Sequence, residues 1–126
     1  MSFVLSGVLQ NQSPYALEYA GDAPSWGTCE INVRSVAPNT TASDAFVGMS
    51  EGIFQGCEGT VTYGFTDQHG RQQYVQLAYN DPFSGSNSAS ISVPTGMVGN
   101  ADVPSSGSHV TATYTLSGEV SADRTS

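Results

Sequence analysis

The sequence predicts an all-β chain, a single-domain antiparallel β-sandwich, and three observations lead there. No segment longer than a turn or two carries the 3.6-residue apolar period of an amphipathic helix. β-branched and aromatic residues recur instead in short runs bounded by Gly, Pro, Asn and Ser. In the run from Val110, the residues Val110, Ala112, Tyr114 and Leu116 alternate with Thr111, Thr113 and Thr115, so one face is buried and the other wet. Antiparallel strands of this kind hide their apolar faces by packing two sheets together. A chain of 126 residues fits one core and hides roughly two-thirds of its extended surface on folding.

Strands are expected in order near Phe3–Gln10, Tyr15–Tyr19, Thr28–Val36, Ala45–Met49, Thr60–Thr66, Gln72–Tyr79, Ala89–Val93 and Val110–Val120. Turn formers stand between several of them: Ser13-Pro14, Gly21-Asp22-Ala23-Pro24, Ala37-Pro38-Asn39 and Pro94-Thr95-Gly96 break the pattern where Pro fixes φ or Gly frees it. The clearest pairing is the hairpin from Thr60 to Tyr79. Val61, Tyr63 and Phe65 share one face, Thr60, Thr62 and Thr66 the other, and Val75, Leu77 and Tyr79 continue the apolar side after the turn Asp67-Gln68-His69-Gly70. Gly96 to Ser108 is poor in apolar residues and reads as a long loop. Residues 1–120 are the predicted sandwich, and 121–126 a disordered tail. There is no internal repeat.

Charge narrows the partners. Three basic residues (Arg34, Arg71 and Arg124), no lysine and eleven acidic residues give a formal charge of −8. Nucleic-acid binding depends on Lys and Arg neutralising phosphate, so nucleic acid is excluded as an expected partner, and anionic lipid is repelled by the same field. Contact with a membrane lipid surface must then rest on aromatic insertion and hydrogen bonding to neutral or zwitterionic head groups. No apolar run approaches the roughly 20 residues a spanning helix requires. Phe3 to Leu9 lacks the preceding positive charge and the cleavage site of a signal peptide, so the expected location is cytoplasmic, or secreted without a classical signal. Cys29 and Cys57 form either one disulfide or two small buried hydrophobes, the second being favoured by the missing signal. The sequons at Asn11 and Asn39 matter only on a secretory route.

Catalysis, metal and cofactor find little support. His69 lies in a polar turn and His109 at a strand start, and no Gly-x-Ser-x-Gly elbow is present. Glu51 and Glu58 flank a glycine-rich bend, where solvation is the expected role. The cysteines and histidines lack the close pairing of a zinc site. Asn80 and Asp81 lack a calcium-loop pattern and read as an Asx-type turn. No cofactor and no enzyme activity are expected.

The aromatic residues carry more. Trp26 follows a Gly-Asp-Ala-Pro turn and either caps the core or anchors an interface. Tyr15 and Tyr19 either fill the core or form half of an aromatic platform. The loop Tyr79-Asn80-Asp81-Pro82-Phe83-Ser84-Gly85-Ser86-Asn87 joins aromatic rings and a rigid proline to small hydroxyl and amide side chains, the chemistry of a contact surface. Trp26, Tyr79, Asn80, Asp81, Pro82, Phe83 and Asn87 are therefore the candidate lipid- or sugar-binding residues. A lectin would stack Tyr79 or Phe83 on a pyranose ring and grip hydroxyls with Asn80, Asp81 and Asn87. A structural protein without a ligand would bury Trp26 and Phe83. Unpaired sheet edges leave room for a homodimer.

Four landmarks in order resemble the aegerolysins, small acidic all-β proteins. They are Ser25-Trp26-Gly27 with Glu30-Ile31, Ala37-Pro38-Asn39 ahead of Phe46, Gly56-Cys57-Glu58-Gly59-Thr60, and the loop from Tyr79 to Asn87. A weaker likeness to the related actinoporin-like sandwich runs through Gly59 to Tyr63 and Asp81-Pro82-Phe83. The resemblance spans roughly Val8 to Val93. It implies a cytolysin-type recognition protein for sphingolipids or their ceramide phosphoethanolamine relatives, with pore formation left to a separate, larger partner protein. It carries Trp26, Tyr79, Pro82, Phe83 and Asn87 over as site residues, with Glu58 more distantly.

Overall fold

A computed structural model describes residues 3–52 and 55–122 as ten strands and, among these residues, no helix. One sheet has the order β3 (Thr28–Ile31), β5 (Thr40–Met49), β1 (Val4–Gln12), β10 (His109–Gly118) and β9 (Met97–Asp102). The other has the order β4 (Ser35–Val36), β2 (Leu17–Trp26), β6 (Cys57–Thr66), β7 (Gln72–Asp81) and β8 (Ser88–Ser92). The β-sandwich that the alternation predicts is thus present. All pairings are antiparallel except that of β1 with β10, which run parallel from Val4↔His109 to Gln12↔Ser117.

Several expectations need correction. Gly96–Ser108 is not one loop, because Met97–Asp102 forms an edge strand on β10. Only Met97 of that strand is buried, so the segment carries little apolar signal. Thr28–Val36 is not one strand: β3 pairs with β5 in one sheet and β4 with β2 in the other. The chain changes sheet across residues 32–34, where the Asn32 and Val33 amides both donate to the Ala45 carbonyl. Gly21-Asp22-Ala23-Pro24 is not a break but the middle of β2, bulged between Tyr19 and Gly21 and again between Pro24 and Trp26. A further bulge lies in β5, where Asp44 takes a φ of 51° and lets Ala45 and Phe46 both face inward. Of the predicted tail, residues 123–126 lie outside the described residues, and the Ser121 amide donates to Thr95 O at 2.8 Å.

The core is continuous between the sheets, with Leu5, Leu9, Phe46, Ala112, Tyr114 and Leu116 from one side against Leu17, Val61, Tyr63, Val75, Leu77 and Tyr79 from the other. Tyr15 belongs to this core and stacks on Phe65 at 4.5 Å, while Tyr19 meets Tyr63 edge-on, so the two do not form one platform. The tyrosine hydroxyls are spent across the interior: Tyr114 donates to Ala78 O and Tyr63 to Val33 O, each at 2.7 Å. Asn11, fully buried, donates to the carbonyls of Tyr15 and Ala37 and clasps the chain between β1 and β2. The first sequon is therefore a structural latch.

Glycine makes room for the largest rings. A Cβ on Gly7 would stand 2.1 Å from the Phe46 ring, and one on Gly48 2.6 Å from the Tyr79 ring. Two consequences are measurable. Gly7→Ala forces Phe46 off its seat and should cost about 1–3 kcal/mol in urea unfolding. Ser6→Ala, on the opposite side of the same strand, should cost under about 0.5 kcal/mol.

Candidate functional site

One end of the sandwich gathers what the sequence scatters. The bend at Gly27 packs on the end of β5, so closely that a Cβ there would meet Met49 O at 2.0 Å, and its φ of 78° also calls for glycine. Gly56 lies against the backbone where β7 ends; its own Cβ would fall 2.1 Å from Asp81 O and 2.6 Å from Pro82 Cα. The Ser50 amide donates to Phe3 O at 2.9 Å, and the Phe3 amide donates to the Ser50 hydroxyl at 3.0 Å. The loop after β7 is tied to the loop before β10, because the Asn87 amide donates to Ser105 O.

These contacts build a groove of about 230 Å³ lined by Trp26, Pro82 and Phe83 among others. Glu58 and Asn80, side by side across the β6–β7 ladder, form its floor with Gln55, Gly56 and Cys57. Trp26 is 56% exposed and Phe83 47%, the phenyl resting edge-on against Phe3 at 6.0 Å. Met49 is also exposed at this end. Of the predicted site residues, Trp26, Asn80, Pro82 and Phe83 thus share one groove.

The other three lie beneath it. Alternation along β7 turns Val75, Leu77, Tyr79 and Asp81 inward. The Tyr79 hydroxyl is buried among Gly48, Gly59 and Cys29, and burial raises its pKa. Asn87 is buried and donates to the carbonyls of Pro104, at 3.0 Å, and Gly107, at 3.2 Å, so its amide holds the loops together. Both cysteines are free thiols, and burial, with the Asp81 charge added, pushes Cys57 up to about 12.

Asp81 is 0% exposed, and neither carboxylate oxygen has a hydrogen-bond partner. Burial pushes its carboxyl up from 3.8 to about 6, against the lowering influence of His109. At the opposite end of the same hairpin, Asp67 shows the reverse. Burial again opposes its charge, yet donors from Arg71, Gln73 and His69 hold it down at about 2.

The end with the groove carries little positive charge. Arg71 bonds Asp67 at 3.5 Å in the far turn, and Arg34 lies 4.8 Å over the Tyr19 ring partway along the sheet. His109 is the one basic side chain placed near this end among the described residues. No group of three or more His, Cys, Asp or Glu residues suited to a metal occurs among them. Sequence reasoning did not single out Gln55, Gly56 or Cys57 as lining, and read Glu58 first as solvated. The signal for Glu58 was available, since the hairpin alternation puts it on the outer face beside Asn80.

No protein-family model matches the sequence, and no curated protein matches it. Solved structures do. IP-1A from Alcaligenes faecalis superposes with a TM-score of 0.60 at 15% identity, covering 92% of this chain and 91% of its own. RahU protein, crystallised in complex with a TRIS molecule, gives 0.59 at 14% identity and covers 97% of each chain. At such identities the likeness establishes the shared sandwich fold.

Asp81 makes stability depend on pH. Its folded pKa lies above the unfolded value, so below about pH 4 the carboxyl is protonated in both states and the cost of burying its charge is absent. The cost grows as pH rises toward 6 and is constant above it. Asp81→Asn should therefore gain about 1–2 kcal/mol in urea unfolding at pH 7.5 and nothing at pH 4. An equal gain at both would show that ionisation is not the cause.

Proposed function

We propose that this protein binds membrane surfaces through the end bearing Trp26 and Phe83, recognising a neutral or zwitterionic head group. The observation that supports this most is the pair of half-exposed rings lining one groove whose only ionisable lining side chain besides the buried Cys57 thiol is a carboxylate. A surface without Lys or Arg gains nothing from anionic lipid, and each ring contributes roughly 1.5–3 kcal/mol if it is fully buried among lipid. Trp26 and Phe83 enter the interface, with Met49 beside them. Glu58 and Asn80 face the head group, where a carboxylate beside an indole suits an ammonium. Tyr79, Asp81 and Asn87 hold the backbone under the groove and do not touch lipid themselves. The role is binding, not catalysis.

The aegerolysin resemblance of the sequence and the shared fold of the structural neighbours support the finer reading, a sphingolipid-type recognition component that acts with a larger pore-forming protein. Trp26 is the sole tryptophan, so its emission reports the groove directly. Flotation with vesicles containing sphingomyelin or ceramide phosphoethanolamine should carry the protein upward with a blue shift of that emission, and phosphatidylserine vesicles should not. Phe83→Ala and Trp26→Ala should each weaken binding at least tenfold while leaving thermal unfolding within a few degrees of wild type. Failure to bind any such vesicle at micromolar protein overturns the reading.

A further inference from the structure

We infer a second binding site, for a neutral sugar ring, on the outer face of the sheet beside the aromatic groove. A trough of about 210 Å³ lies there over β6, β7 and β8. Its polar lining is Ser25, Glu58, Thr60, Asn80, Ser88 and Ser90. The register shows how these residues meet. Trp26, Glu58, Asn80 and Ser88 form one transverse row, and Ala23, Thr60, Ala78 and Ser90 form the next row on the same face. Ala78, small between Thr60 and Ser90, leaves the hollow. The bulge between Pro24 and Trp26 brings Ser25 to its rim.

Several polar side chains of the molecule are spent on the chain itself. Asn11, Ser13, Asp67, Gln68, Gln73 and Asn87 all bond other parts of the chain. The six polar side chains of the trough make no hydrogen bond to protein and converge on one volume. Across three strands and two alternate rows they span about 10 by 7 Å, close to the footprint of one or two pyranose rings. Hydroxyls and an amide both donate and accept, as sugar hydroxyls require. Glu58 is the only carboxylate in the lining; it accepts from a pair of hydroxyls and repels an anionic ligand. Trp26 closes the glutamate row with a flat exposed face for the apolar side of a ring.

The site shares Glu58, Asn80 and Trp26 with the aromatic groove, while Thr60, Ser88 and Ser90 line the trough and not the groove. The test is an array of neutral mono- and oligosaccharides probed with the intact protein, followed by titration calorimetry on the best binder. Thr60→Val combined with Ser90→Ala should weaken sugar binding at least tenfold while vesicle flotation stays as in wild type. Phe83→Ala should leave sugar binding unchanged. Circular dichroism confirms that each variant is folded. Absence of any neutral glycan ligand at millimolar concentration, or binding indifferent to the Thr60→Val and Ser90→Ala pair, overturns the proposal. Either result leaves the vesicle experiment free to succeed or fail by itself.

Discussion

The Tyr79 ring, wedged between the two sheets, is the contact on which the rest of this molecule depends. It is nearly the last inward side chain of β7, it fills the space left by Gly48 in the facing sheet, and it lies 5.2 Å from the Phe46 ring. Interiors packed to crystal-like density accept such a ring only where neighbours give up volume. Gly48 gives it under the ring and Gly59 beside the hydroxyl. With that residue fixed, Asn80 must point outward and Asp81 inward, and Pro82 must leave the ladder. Phe83 follows just past the end of the strand, where its ring rests against Phe3.

The two ends of the β6–β7 hairpin then differ in kind. At the turn, Asp67 has its charge met by backbone amides, a glutamine and an arginine, and the turn is rigid for that reason. At the other end, Asp81 is enclosed without donors, next to the loop that presents Phe83. Buried polar groups without partners cost stability, so the end of the sandwich best suited to contact also carries an uncompensated cost. Concentrating such costs near a contact surface is common where function and stability compete.

Most of the architecture was legible in the sequence, because half-buried strands announce themselves by alternation. The hairpin, β8 and the last strand follow from Val, Tyr, Phe and Thr at period two. What escaped has a shared cause: β9 buries only Met97, the outer half of β2 is exposed over Ala23 to Trp26, and the bulges in β2 and β5 break the period that reveals a strand. The change of sheet near Asn32 is invisible because apolar Ile31, Val33 and Val36 suit either side. In the site, Trp26 and Phe83 stood out as aromatic residues among turn formers. The same alternation that identified β7 also implied, two residues past Tyr79, an inward Asp81; reading the loop as beginning at Tyr79 concealed it.

The parallel pairing of β1 with β10 sets the order in which this molecule becomes itself. Gln10 and Thr115, hydrogen-bonded across that seam, are 105 residues apart. A chain emerging residue by residue from a ribosome can pair β1 with β5 early but holds its other edge without β10 until almost everything else has been made. The hairpin of β6 and β7 needs no such wait. Contacts between distant residues slow folding, and a nascent chain stalled before residue 109 carries an open edge on β1 and leaves β9 without the strand it pairs with.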